Sequence, residues 1–176
     1  MDRALSGSIG KVLPGVEMKI AEDGELLIRG ETLFSGYYKD AASTAAVLLY
    51  DREVGIGGIA HFMLPSSASD SQRAREYPAM YADVAIPLLV ESCIGKGACR
   101  ESLSARLAGG SILMGQGISR SISEGNIATA RQILEKLAIP LTAENTGGNH
   151  NRAVRMEIST GKSFVKRPDG SWEEMV

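Results

Sequence analysis

Two apolar segments joined by a turn sequence constrain the fold of this chain more than any other feature. Residues 47–49 and 56–64 are mostly apolar and are separated by YDREVG, in which Asp51 and Gly55 favour a turn. This pattern predicts two strands and places His61 on the second one. A histidine on an apolar strand is more often a packed, hydrogen-bonded core residue than a catalytic one, so its role depends on what faces it.

A second pair of strands is predicted near the amino terminus. Residues 9–30, IGKVLPGVEMKIAEDGELLIRG, alternate apolar and polar side chains on both sides of Asp23 and Gly24. An Asp-Gly dipeptide suits the positive φ angles of a tight hairpin turn. The segment therefore predicts an amino-terminal β-hairpin.

Two helices are predicted further along the chain. Residues 80–92 carry apolar residues at helical spacing, and Pro87 has to lie near the first turn or kink the helix. The second helix is predicted to begin at Ser123 as its N-cap and to stop at Pro140. Its apolar stripe consists of Ile127, Ala130, Ile133, Leu134 and Leu137.

The segments between and after the helices predict a loop and three more strands. Residues 66–78 have no periodicity and are rich in small polar residues, which predicts a mobile surface loop. Residues 102–115 predict a strand that is broken by two glycines, and residues 152–158 and 162–167 predict two last strands around a short turn. Strands interspersed with two helices predict an α+β domain with layered packing.

Two glycine pairs have two interpretations each. Gly109 and Gly110 follow the predicted strand, and residues 145–149, NTGGN, contain the second pair. Glycine pairs permit tight turns, and they also bring backbone amides close to a substrate. The turn interpretation is favoured.

The composition limits the classes of function. A chain of 176 residues with 44% hydrophobic residues and a formal charge of -2 predicts one compact domain and no nucleic-acid binding. No apolar stretch is long enough for a signal peptide or a membrane span, so a cytoplasmic protein without direct membrane insertion is predicted. Cys93 and Cys99 fit neither a redox pair nor a zinc site, and we expect them to be structural or incidental, with neither metal nor cofactor bound.

Four segments resemble one known family. Between residues 48 and 162, the segments occur in the order LLYDREVGIGGIAHFMLP, YADVAIPLLVE, ARLAGGSILM and AENTGGNHNRAVRMEISTGK. They look like CheD, the chemoreceptor glutamine deamidase of bacterial and archaeal chemotaxis. The resemblance implies an α/β/β sandwich that hydrolyses glutamine side chains of methyl-accepting chemotaxis proteins to glutamate and releases ammonia. It also implies CheC, a regulatory phosphatase, as a partner.

The resemblance implies a cysteine nucleophile, a histidine base and a threonine at the site. His61 matches the family histidine, but the cysteine position falls on Thr44 when residues are counted back from Tyr50 without gaps, and the threonine position falls on Tyr38. With an insertion, Thr32 takes the threonine position and Tyr37 that of the cysteine.

Neither alignment restores a thiol, so deamidase activity is predicted to be weak or absent. A threonine hydroxyl is far less acidic than a thiol, and an internal threonine lacks the α-amino group that activates an amino-terminal one. The alternative is a catalytically inactive binding protein that docks CheC or chemoreceptors.

The amino-terminal part resembles a different family. Residues 5–47, which include GELLIRG and GYYKDAAST, are similar to a fragment of the adenylate-forming acyl-CoA synthetases. The fragment lacks the phosphate-binding loop and the catalytic lysine region of that family, so ATP–pyrophosphate exchange is expected to be null. The chain is thus predicted to combine a foreign hairpin segment, residues 1–44, with a CheD-like domain, residues 45–176.

Overall fold

The structure is a computed structural model that describes two backbone segments, residues 16–20 and 26–30, and the chain over residues 43–68, 70–112 and 118–176. Two compact units are present, Met1–Lys39 and Asp40–Val176. In the first unit, β1 (Val16–Ile20) pairs antiparallel with β2 (Leu26–Gly30), with Ile20 opposite Leu26. The predicted amino-terminal hairpin is therefore confirmed, while its Asp23-Gly24 turn lies outside the described residues.

The second unit is built on a four-stranded sheet. Its strands are β3 (Ala45–Asp51), β4 (Ile56–Phe62), β5 (Leu103–Gly109) and β6 (Leu141–Thr146), in the spatial order β4-β3-β5-β6. The β3–β4 and β3–β5 pairs are antiparallel, and β5–β6 is parallel. The β3–β4 turn forms as the sequence predicts, because the Asp51 carboxylate accepts hydrogen bonds from the N–H groups of Glu53 and Val54 and Gly55 has a φ of 67°.

Three α-helices accompany this sheet: α1 (Ser71–Glu76), α2 (Ala82–Gly95) and α3 (Ile118–Lys136). Side chains of α2 and α3 pack against one face of the sheet. The buried cluster on this face contains Val47, Leu49, Phe62, Ile86, Val90, Leu103, Leu107, Ala130 and Leu134. Because side chains alternate along a strand, neighbouring positions such as Thr44, Ala46 and His61 point to the other face.

A three-stranded antiparallel sheet completes the unit. It contains β7 (Val154–Met156), β8 (Ser163–Lys166) and β9 (Trp172–Glu174). A second buried cluster joins the two sheets through Ala108 and Ala143 of the larger sheet and Val165 of the smaller one, together with Met175. Helices and strands thus form the mixed α+β fold that the sequence predicts.

Several element predictions need correction. Ser123 is not an N-cap, because α3 begins five residues earlier, and its hydroxyl instead donates a hydrogen bond to the Ser111 carbonyl at 2.9 Å. Residues 66–78 are not a plain loop, since Asp70 caps α1 by accepting a hydrogen bond from the N–H of Arg73. Pro87 lies inside α2, so of the two alternatives that the sequence left open, a position near the first turn is the one that does not apply.

No helix in the described part of the chain is long and apolar enough to cross a membrane.

Candidate active site

Thr44 and His61 lie in direct contact. The Thr44 Oγ1 atom is 2.9 Å from the His61 Nε2 atom. Thr44 is the residue immediately before β3 and is only 8% exposed, while His61 lies on β4 and reaches solvent. The family resemblance assigns Thr44 to the cysteine position and His61 to the histidine position, and the fold brings these two residues into contact.

The strand register explains this contact. Ala46 lies opposite His61 in the antiparallel β3–β4 pair, and Thr44 precedes Ala46 by two residues on the same face. A diagonal neighbour of this kind is within reach of an aromatic side chain. The imidazole thus extends along the sheet surface toward the beginning of β3.

The surroundings of His61 favour its neutral form. Although the residue as a whole is exposed, the protein around the ring removes enough water that burial lowers the pKa of the imidazole from its ordinary value of 6.5. A neutral imidazole has one nitrogen that accepts a proton. His61 therefore has the protonation state that a general base needs near neutral pH.

A glycine turn borders the pair. The N–H of Gly110 donates a 2.7 Å hydrogen bond to the Thr44 carbonyl, and an added Cβ at Gly109 would lie 2.5 Å from the same carbonyl oxygen. Gly109 and Gly110 both have positive φ angles, as does Gly147, whose N–H donates to the Gly109 carbonyl. The glycines therefore permit turns beside Thr44, whereas donation of their amides to a substrate stays a prediction.

Arg152 holds the neighbouring loop in place. Its Nε donates to the Asn145 Oδ1 at 2.5 Å, and its Nη1 donates to the Gly147 carbonyl at 2.6 Å and to the Ser111 hydroxyl. Partial burial lowers the pKa of the guanidinium without removing its charge. Arg152 was not predictable as a site residue, because no sequence pattern indicates an arginine that binds backbone carbonyls.

Neither cysteine faces His61. Cys93 lies in α2, and Cys99 donates its backbone N–H to the Asp51 carboxylate at the end of β3 opposite to Thr44. Burial raises the pKa of the Cys93 thiol, and a hydrogen bond to Glu101 raises that of Cys99. Neither thiol is thus placed or activated as a nucleophile for this site.

Three other residues were considered for the site. Thr32, Tyr37 and Tyr38 lie outside the described residues. Over the ranges that the structure describes, no group of three or more His, Cys, Asp or Glu side chains is arranged to hold a metal ion.

The domain has an α+β fold in which a hydroxyl immediately before β3 contacts an imidazole on β4. A family model described as "CheD chemotactic sensory transduction" matches residues 63–167, more than half of the chain. The chain is therefore a member of the CheD family. This match begins two residues after His61 and so includes neither member of the pair.

Curated relatives match a longer part of the chain. A probable chemoreceptor glutamine deamidase CheD 1 from Syntrophus aciditrophicus is 41% identical over 133 residues, which cover 76% of this chain and 83% of the relative. Relatives named probable chemoreceptor glutamine deamidase CheD are 40% identical in Solibacter usitatus (76% and 79% covered) and 35% identical in Pyrococcus abyssi (88% and 93% covered). Matches of this length have to include His61.

Proposed function

We propose that this chain is a CheD-type protein that acts on glutamine side chains of chemoreceptors, with His61 as the general base and Thr44 in the position of the nucleophile. The observation that carries the proposal is the 2.9 Å contact between Thr44 Oγ1 and His61 Nε2. Support for the substrate class comes from the relatives, which are named as probable chemoreceptor glutamine deamidases.

The proposed reaction has two steps. First, His61 accepts the Thr44 hydroxyl proton while Oγ1 bonds to the amide carbon of glutamine; the carbon–nitrogen bond then breaks, and the imidazolium protonates the departing ammonia. Second, His61 takes a proton from water as the water oxygen bonds to the same carbon. The bond to Oγ1 breaks, the proton returns to Thr44, and the side chain is released as a carboxylic acid, which loses its proton to ammonia or water and becomes glutamate.

We expect this reaction to be slow with threonine. A cysteine beside a histidine forms a thiolate near neutral pH, whereas a hydroxyl has to be deprotonated during the attack itself. Thr44 also has a preceding residue and cannot use its own α-amino group as a base.

The test is ammonia release from a purified chemoreceptor fragment, with mass spectrometry locating each glutamine converted to glutamate. The native chain is expected to turn over slowly, and His61→Ala to abolish the turnover. His150→Ala is the matched control, since His150 is the second of the two histidines in the chain. Equal ammonia release from the native chain and His61→Ala would overturn the proposed role of His61.

A second candidate is a binding protein without chemistry. The identity of residue 44 favours this binding role, because Thr44 is a weak nucleophile at the position where the family resemblance implies a cysteine. In this version the domain docks CheC or chemoreceptors and releases no ammonia. A pull-down with CheC and with the receptor fragment detects binding, and the ammonia assay separates the binder from the enzyme.

The finer description of the fold and location belongs to the same proposal. The two buried clusters, one on each face of the four-stranded sheet, support an α/β/β sandwich of CheD type. Both described cysteines are free, which suits the reducing cytoplasm. We accordingly assign the protein to the cytoplasm, with chemoreceptors and CheC as its partners.

A further inference from the structure

Asn126 binds the two chain segments that carry Thr44 and His61. It lies in α3, is fully buried, and its Nδ2 donates a 2.8 Å hydrogen bond to the Ser43 carbonyl and a 2.9 Å hydrogen bond to the Met63 carbonyl. Ser43 directly precedes Thr44, and Met63 follows His61 by two residues. One side-chain amide thus connects the ends of both strands at the candidate site.

This connection occurs where the ladder between β3 and β4 stops. Ala45 and Phe62 form the last pair of the two strands. Beyond this pair, the Thr44 carbonyl accepts its hydrogen bond from Gly110 on the β5 side, whereas Met63 turns away and donates its N–H to the Met80 carbonyl. Between the separating segments, the Asn126 amide replaces the backbone bonds that the sheet no longer supplies.

The orientation of the Asn126 amide follows from its partners. Both partners are carbonyl oxygens, which only accept, so the NH₂ group has to face them. The Oδ1 atom on the other side is buried and has no hydrogen-bond partner among the described residues. Burying the unpaired Oδ1 acceptor is unfavourable, so this atom does not explain why an asparagine stabilises the site. The stabilising contribution comes from the two donated hydrogen bonds, which an apolar residue could not form.

A second contact from α3 supports the same junction. The Ser43 hydroxyl donates a 3.3 Å hydrogen bond to the Ser119 carbonyl, about two helical turns before Asn126. Residues in the amino-terminal half of α3 therefore form two hydrogen bonds with the segment before β3. The chain between Ser43 and Ala45, which contains Thr44, has little freedom to move while both contacts hold.

We propose that Asn126 is a positioning residue that keeps Thr44 and His61 in contact by joining the segments before β3 and after β4. The inference deepens the proposed function, since it concerns the same pair, but it does not depend on whether the pair is catalytically competent. A loss of the amide would let the two segments separate, widen the distance between Oγ1 and Nε2, and admit water to the imidazole.

The test is an NMR titration of the histidine ring protons in the full chain without substrate. The chain has two histidines, so His150 serves as an internal reference for His61. Asn126→Ala is expected to move the pKa of His61 upward by about half a unit or more, because a more hydrated ring is protonated more easily. The ring signals of His150 are followed in the same spectra as this reference.

Tyr50→Phe is the matched control for a merely structural effect. The Tyr50 hydroxyl donates a 3.0 Å hydrogen bond to the Ile158 carbonyl near the other end of β3, so this variant also leaves a carbonyl without its side-chain donor. It is expected to lower the denaturation midpoint without moving the pKa of His61. An equal shift in both variants, or no shift in Asn126→Ala, would overturn the positioning role.

If Asn126→Ala does not fold, a second variant decides the question. Asn126→Ser is then measured by the same criterion, because its smaller hydroxyl leaves less empty space than alanine and cannot reach both carbonyls. Should neither variant fold, Asn126 is required for the fold as a whole and the positioning role is contradicted. Failure of the ammonia assay with an upward shift in Asn126→Ala would refute the proposed function and leave this inference standing.

Discussion

The properties of two side chains determine what the candidate site can do. His61 has a lowered pKa because burial disfavours its charged form, and its Nε2 lies 2.9 Å from a hydroxyl oxygen. The histidine is thus prepared to accept a proton, but Thr44 is a reluctant donor compared with a thiol. The chemistry of His61 thus suits the proposed role of base, and that of Thr44 suits the proposed role of nucleophile less well.

The lowered pKa of His61 predicts how stability depends on pH. Above the ordinary histidine pKa of about 6.5, the imidazole is neutral in both the folded and the unfolded chain. Protonation of His61 therefore does not reduce the free energy of unfolding in this range. As the pH falls from about 6.5 toward the lower folded-state pKa, the unfolded chain binds more protons at this position, and the free energy of unfolding decreases.

Chemical denaturation between about pH 7.5 and 5.5 measures this effect, over a range that brackets the ordinary histidine pKa. The native chain should lose more stability across this range than His61→Asn, which has no imidazole at position 61. Parallel curves for the two proteins would show that the pKa of His61 is not lowered by folding.

The elements show where sequence patterns predict structure and where they do not. The β3–β4 strands and the apolar stripe of α3 were predictable because strand and helix periods are visible in their core-facing residues. The five-residue error at the start of α3 arose because its first turns face loops with polar groups such as Ser123. Asn126 was missed, although it continues the stripe of Ala130 and Leu134 at four-residue spacing.

Short elements were missed for a related reason. The helix α1 and the strands β6 and β9 are short and mostly polar, with the sequences SQRARE, LTAENT and WEE, so no apolar period appears in them. They form because tertiary contacts hold them, as Ala143 of β6 packs between the sheets. The pairing of His61 with Thr44 was predictable only through the family resemblance, since spacing alone does not give strand register.

The turn after β5 gives a prediction at this scale. Gly109 has a φ of 109°, and a Cβ there would lie 2.5 Å from the Thr44 carbonyl oxygen and 2.8 Å from the Ala45 Cα. Gly109→Ala should therefore lower the free energy of unfolding and displace Thr44. Gly170→Ala is the control, because Gly170 also has a positive φ, 88°, but no atom lies within 4 Å of its added Cβ.

Urea denaturation separates steric overlap from backbone strain in these two variants. Gly109→Ala should cost about 1–3 kcal/mol more than Gly170→Ala, since only the former forces packed backbone atoms apart. Equal costs would mean that the turn beside Thr44 adapts without resistance.

The comparisons with known proteins cover the carboxyl-terminal unit more fully than the amino-terminal segment. Membership of the CheD family follows from the match over residues 63–167 and from relatives that are at least 35% identical. The match to the Pyrococcus abyssi relative covers more of the chain than residues 45–176 provide, so it extends into the amino-terminal segment. The predicted origin of residues 1–44 in an acyl-CoA synthetase fragment stays a prediction.

For the whole molecule, we propose that a CheD-type domain carries a hydroxyl at position 44, where the family resemblance implies a thiol. Both members of the pair, the Gly109–Gly110 turn and Asn126 lie in the unit Asp40–Val176. Thr44→Cys, which replaces the hydroxyl by a thiol and removes the γ-methyl group, should therefore restore activity without rebuilding the surroundings.

The most direct measurement compares ammonia release from a chemoreceptor fragment by the native chain, Thr44→Cys and Thr44→Cys combined with His61→Ala. We expect Thr44→Cys to exceed the native rate by on the order of 100-fold or more and the second substitution to remove the gain. A native chain as fast as Thr44→Cys, or a folded Thr44→Cys protein without any gain, would contradict it.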